Sequence, residues 1–155
     1  MIKFIYAVAL HLPPCIQVKL RCYFGRRKER ELKILRKIID KGDVVVDVGA
    51  HRGTYTYHLQ KIVGNLGKVY SVEPQVFYFK YLRSAFKKSR NVEVINAAAF
   101  NRITSIPIFI PVHNGQLATG GASLEKRSAV NKVATVKTIT IDSLNLFKCK
   151  LIKLM

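Results

Sequence analysis

Acidic side chains are scarce. The 155-residue chain holds 9 Asp plus Glu against 27 Lys plus Arg, a formal net charge of +18. A compact domain of this size more often lies within about 8 of neutrality, so the imbalance points to something anionic nearby. Cysteine is sparse too. Cys15, Cys22 and Cys149 make an odd count, with no C-x-x-C pair and no histidine at metal-ligand spacing. That excludes a disulfide scaffold and a structural zinc site, and reads as reduced thiols in a cytoplasmic protein with no metal. No apolar run reaches the roughly 20 residues a bilayer span needs. The nearest candidate, residues 1–12, is broken by Lys3 and His11 and ended by Pro13-Pro14. Its n-region carries only Lys3 and no small-x-small cleavage site follows, which argues against a signal peptide. With only 9 Gly and 5 Pro in a chain that is 49% apolar, collagen-like, low-complexity and disordered readings fail. There is no internal repeat, no RNP-like aromatic motif and no helix-turn-helix signature. The length suits one domain with a real core.

What is present begins with residues 1–28, a basic and apolar segment. Two readings of it stand. One takes residues 1–12 as a short helix that packs on the domain or lies peripherally on a membrane, where the cations that follow, Lys19, Arg21, Arg26, Arg27, Lys28 and Arg30, would meet anionic headgroups. The other is a solvated basic face, the commoner fate of a charge run. Residues 29–155 form the domain proper. Over residues 29–40 Leu32, Ile34, Leu35, Ile38 and Ile39 recur at i, i+3, i+4, i+7 spacing, an amphipathic helix. Val44-Val45-Val46 followed by Val48 suits a strand buried on both faces of a parallel sheet. A loop at residues 49–53, a helix at 54–63, a strand at 68–73, a helix at 75–89 and a strand at 92–96 follow. This alternation implies parallel strands joined by crossover helices. Further strands are expected at 105–110 and 134–141, with a polar loop at 113–131 between them.

The informative stretch is Asp47-Val48-Gly49-Ala50-His51-Arg52-Gly53, at the end of the first strand. In an open α/β sheet ligands bind outside the carboxyl ends of strands, where a glycine turn lets ligand and backbone approach. Gly49 supplies the turn, and Gly53 lets the next helix start against the ligand. Glu73 ends the second strand, where an acid can accept hydrogen bonds from both hydroxyls of an adenosine ribose. A dinucleotide needs a G-x-G-x-x-G turn for its pyrophosphate. Here the spacing is G-x-x-x-G, with Asp47 two residues before the first glycine. A carboxylate repels a pyrophosphate but attracts the amino group and sulfonium of S-adenosylmethionine, so the residues favour that cofactor over NAD. Each acid also has a plainer reading: Asp47 as the N-cap of the following helix, Glu73 as an ordinary strand-end acid before a proline turn.

The run Gly42-Asp43-Val44-Val45-Val46-Asp47-Val48-Gly49-Ala50-His51-Arg52-Gly53 resembles the first motif of class I methyltransferases. With Gly67-Lys68-Val69-Tyr70-Ser71-Val72-Glu73-Pro74 it is similar in particular to the FkbM-type methyltransferase family, in which D-V-G-A-N-x-G and G-x-V-x-x-x-E-P are usual and His51 stands where Asn is commoner. Val94-Ile95-Asn96-Ala97-Ala98 resembles the family's third strand and adenine-side turn. Thr138-Ile139-Thr140-Ile141-Asp142-Ser143-Leu144 resembles its T-L-D-S-L segment. The resemblance implies a Rossmann-like class I methyltransferase three-layer sandwich, α/β with a largely parallel sheet. It implies that Asp47, Gly49, Ala50, His51 and Gly53 hold the methionine part of S-adenosyl-L-methionine, that Glu73 holds the ribose, and that Asn96 and Ala97 lie near the adenine.

The family continues into a fourth strand resembling I-K-I-D-V-E-G and then three more. This chain reaches Leu151-Ile152-Lys153-Leu154-Met155 without that acid and glycine, so only the N-terminal portion of the fold is expected, with the fourth strand and its sequel missing. The implied function is methylation of an oxygen on a small molecule or glycan hydroxyl, by a truncated or inactive copy if the missing strands are needed. A different class of reading is a basic RNA-binding or RNA-methylating protein. No catalytic residue is assigned. His113, in the polar loop, is the candidate base, weighed against a merely solvated loop histidine.

Overall fold

The computed structural model describes residues 11–24, 29–113, 116–117, 122–125 and 131–154. The apolar start of the chain, Arg26, Arg27 and Lys28, the His113 side chain and much of the expected loop lie outside the described residues. The chain divides into two units, one of residues 1–96 and 146–155 and one of residues 97–145.

In the first unit helix α1 (Pro14–Phe24) precedes α2 (Glu29–Ile38), β1 (Val44–Val48), α3 (Thr54–Val63), β2 (Lys68–Val72), α4 (Val76–Ala85) and β3 (Val92–Ile95). Pro14 suits the first turn of α1, where its missing N–H has no intrahelical partner to lose. Val18 is buried with Ala50, Leu82 and Phe86, which contributes on the order of 1.5–3 kcal/mol and seats α1 on the body. The amphipathic stripe of α2 places Leu35 and Ile39 in one cluster with Val45, Leu59, Val63 and Val69. Val45 and Val46 are wholly buried, as a β-branched run in a parallel sheet should be.

The sheet has the order β3-β2-β1-β8, where β8 is Leu151–Lys153. Every pairing is parallel, with Val45↔Val69 and Val45↔Leu151 aligned across β1. The expectation that the fourth strand is missing is therefore corrected. Leu151, Ile152 and Lys153 occupy its place, because two apolar residues with a backbone ladder to β1 suffice to form three residues of strand. The chain steps outward from β1 to β3 and returns on the other side of β1, so the order reverses between β1 and β8. The carboxyl ends of these two strands flank the crevice where such sheets take ligands.

The second unit holds β4 (Ala98–Ala99), β5 (Ser105–His113), β6 (Gln116–Leu117) and β7 (Asn131–Ile139), in the order β4-β7-β5-β6. β5 and β7 pair antiparallel from Ser105↔Lys137 to Pro111↔Asn131, while β4 runs parallel to β7. Ile108, Val136 and Ala98 form its core. Two prolines within β5 break no bond to β7. The amide of Phe109 points away from β7 and donates to Ser123 O at 2.8 Å, and Pro107 and Pro111 share that outward direction, so their missing N–H groups fall off the ladder. The expected loop at 113–131 is accordingly part sheet: Gln116–Leu117 pairs with Val112 and His113, and Ser123 bridges Phe109. Backbone ladders need no apolar side chains, so a polar composition hid them. β7 ends at Ile139, before Thr140 turns the chain by accepting the Ser143 amide on its hydroxyl at 3.0 Å.

Candidate functional site

β2 runs past the end of β1, and the chain leaving β1 folds back onto it. The amides of Gly49 and Ala50 both donate to Val72 O, at 2.9 and 3.1 Å. The next amide, that of His51, donates to Glu73 Oε2 at 2.7 Å, and the Gln75 amide donates to Glu73 Oε1 at 2.9 Å. Each oxygen of Glu73 thus receives one backbone donor, and the carboxylate ties the turn after β1 to the turn after β2. The third strand joins them. Glu73 N donates to Ile95 O at 2.9 Å, and Asn96 Nδ2 donates to Glu73 O at 2.9 Å and to Pro74 O at 3.0 Å. Asp47, Gly49, Ala50, His51, Gly53, Glu73 and Asn96 therefore gather at one edge of the sheet. Ala97 opens the second unit, where it is buried.

The turn is left-handed at alternate positions, with φ of +73° at Gly49, +49° at His51 and +73° at Gly53. Asn and His are among the non-glycine residues enriched in this region, which is a physical reason why His51 can replace the commoner Asn. Its ring packs on Tyr78 at 4.0 Å between centroids, and the exposed Arg52 guanidinium lies 5.9 Å from the same Tyr78 ring. Gly53 caps α3 without a side-chain bond. A Cβ there would stand 2.7 Å from Leu82 Cδ2 and 2.9 Å from Phe86 Cε2. The glycine thus lets α3 and α4 approach, a packing role the sequence did not suggest.

Asp47 is wholly buried and is not the cap of α3. Its Oδ2 accepts a hydrogen bond from Thr56 Oγ1 at 2.7 Å, and Thr56 Oγ1 lies 3.1 Å from Ser71 Oγ. Its Oδ1 lies 3.1 Å from Lys153 Nζ, since β8 sets Lys153 directly beside Asp47 in register. The ammonium is itself largely buried and sits 4.5 Å from the Tyr55 ring centroid. Sequence reasoning missed Lys153, Thr56 and Ser71. The signal for the first was present, because Ile152-Lys153 matches the I-K that opens the family's fourth-strand pattern. Burial holds the Glu73 carboxyl above the usual carboxylate range, assisted by the nearby Asp47 charge and opposed by the Gln75 and His51 amides and by Lys153. Among the described residues no group of three or more His, Cys, Asp or Glu side chains is placed to hold a metal.

Comparison with known proteins gives the following. The sequence model of one family, described as the Methyltransferase FkbM domain, matches residues 47–152. An rRNA adenine N-6-methyltransferase of Bacteroides fragilis is 39% identical over 57 residues, which are 37% of this chain and 20% of that protein. The chain thus spans about a fifth of the length of the curated relatives it matches. A SAM-dependent methyltransferase from Aquifex aeolicus aligns at 28% identity and a TM-score of 0.42, over 56% of this chain and 50% of that one. A SAM-dependent O-methyltransferase from Thermotoga maritima aligns at 19% identity and a TM-score of 0.44, over 57% and 37%.

Proposed function

The chain belongs to the FkbM methyltransferase domain family, and on that premise we propose that it binds S-adenosylmethionine at the carboxyl ends of β1 and β2 and directs methyl transfer to a hydroxyl oxygen of a small molecule or glycan. One observation carries the reading: Glu73 clamps the left-handed turn that follows β1 at the point where strand order reverses. The acceptor set fits an adenosine. An ionised carboxylate has about four lone-pair sites, and two backbone amides leave capacity for two ribose hydroxyls. Asn96 fixes the peptide after β2 against which the base would lie.

When bound, S-adenosylmethionine would supply an electrophilic methyl carbon on a sulfonium, with the neutral thioether as leaving group when the acceptor oxygen attacks in line and its hydroxyl proton passes to solvent or a base. The part of this chain is to align the two, and alignment contributes much of the rate in such displacements. Residues 49–53 do so as a strapped turn rather than a free loop. Asp47 contributes from beneath: with Lys153 beside it and Thr56 on its other oxygen, it acts as a positioning residue for the turn, and the field it casts on a sulfonium is partly cancelled by the ammonium.

A second reading takes RNA as the acceptor, favoured by the +18 charge and by the 57-residue match to an rRNA methyltransferase. Incubation with methyl-tritiated cofactor and parallel pools of glycans, small hydroxy compounds and total RNA separates the two. The expected result is label in the glycan or small-molecule pool. Label in RNA alone assigns the second reading, and label in none contradicts the activity.

A further inference from the structure

In the first unit α1, α2 and α3 enclose a groove of about 490 Å³. Ile16, Lys19 and Tyr23 of α1 line one wall, Arg36 of α2 and Lys61 of α3 the other. Lys61 belongs to the last turn of α3, the opposite end of that helix from the turn at residues 49–53. The lining is more apolar than polar and includes no carboxylate among the described residues. The rim is unusual for a solvated helix face. Tyr23 is 82% exposed, and Ile16 and Phe24 of the same helix also stand in solvent, the Phe24 ring against that of Tyr23. Large apolar side chains grouped among cations, in place of cations alone, mark a surface that meets another phase.

We infer that this face docks on an anionic phospholipid bilayer, with headgroup phosphates among Lys19, Arg36 and Lys61 and with Tyr23 and Phe24 in the interfacial layer. Charge complementarity selects the anion: three cations surround a groove whose described lining has no acid. The rim favours a lipid over a nucleic acid: exposed aromatics alone would also suit stacked bases, but the aliphatic Ile16 beside them has no base to stack on and loses water against acyl chains. Tyrosine is the side chain most at home at headgroup level, with an apolar ring and a polar tip. The docking inferred is peripheral, and no helix among the described residues is long and apolar enough to cross a membrane. A second basic hollow, lined by Lys61, Lys88 and Arg90, has a simpler account: it lies where α3 and α4 end, and cations there complement the helix dipoles.

The test is co-sedimentation of the full chain with phosphatidylcholine vesicles, with and without phosphatidylserine. The expected result is pelleting only with phosphatidylserine, weakening as ionic strength rises, with a roughly tenfold lower partition coefficient for Tyr23→Ser/Phe24→Ser and for Lys19→Glu/Arg36→Glu. Tyr23 and Phe24 are outside the cores, so those variants keep the fold, which circular dichroism verifies. Three outcomes overturn the inference: no pelleting with phosphatidylserine, equal pelleting on neutral vesicles, or variants that pellet like the parent. Retention on polyuridylate that is lost in Lys19→Glu/Arg36→Glu, with no vesicle binding, would assign the face to RNA instead.

Discussion

Replacing Lys153 by Met is expected to lower the unfolding free energy by about 3–5 kcal/mol, the usual cost of removing one partner from a buried ion pair. Asp47 has no solvent exposure. Without the ammonium at 3.1 Å, its carboxylate keeps the Thr56 hydroxyl as its polar neighbour, and a buried charge with one neutral hydrogen bond is poorly compensated. Methionine retains much of the packing volume of the lysine stem, so the loss reports on charge more than on a cavity. Asp47→Asn combined with Lys153→Met removes both charges and leaves an amide to meet Thr56. This pair is expected to recover at least half of the loss, a non-additivity that a double-mutant cycle in urea measures directly. A Lys153→Met protein within about 0.5 kcal/mol of the parent, the scatter of ordinary surface substitutions, would mean that the pair does not brace the site.

Gly53→Ala is the second large effect. The residue sits at φ +73°, where a side chain costs about 1–2 kcal/mol. Its new Cβ would also stand 2.7 and 2.9 Å from Leu82 and Phe86. Forcing a methyl into such a contact costs typically about 1–3 kcal/mol more, because packed side chains must leave their rotamers. The sum, about 2–5 kcal/mol, is separable. Gly42 has φ +92° and nothing within 4 Å of an added Cβ, so Gly42→Ala carries the conformational cost alone. Thermal unfolding should therefore place Gly53→Ala clearly below Gly42→Ala. Equal losses would show that α3 and α4 do not close on the glycine.

Much of this arrangement was legible in the sequence, and the part that was not has an identifiable physics. Val44-Val45-Val46-Asp47 announced a parallel strand with an acid at its carboxyl end, and Glu73-Pro74 a second one, because burial on both faces and a chain reversal each demand particular residue types. That Glu73 receives the amides of His51 and Gln75 was not legible, since backbone donors leave no mark in a sequence. The pairing of Asp47 with Lys153 was hidden for another reason. It depends on β8 falling next to β1, a long-range contact set by three residues whose local propensity is weak. In the second unit, Pro107 and Pro111 argue against a long strand until the direction of the ladder is known. Helix α1 was obscured because its stripe is narrow, with Val18 as its one wholly buried side chain.

The central claim is that Glu73 and the turn it clamps form a nucleoside site. Isothermal titration of S-adenosylmethionine into the folded chain tests it most directly, with Glu73→Gln as the comparison. Glutamine keeps the shape and one acceptor oxygen, but its NH2 group must face the His51 or Gln75 amide that the second oxygen accepts, so it loosens one strap of the turn and reduces the capacity left for ribose hydroxyls. The account predicts saturable one-to-one binding by the parent and an affinity at least about tenfold weaker in the variant, equivalent to 1.4 kcal/mol or more, with both proteins folded by circular dichroism. Unchanged affinity in Glu73→Gln, or no binding by a folded parent, would contradict it.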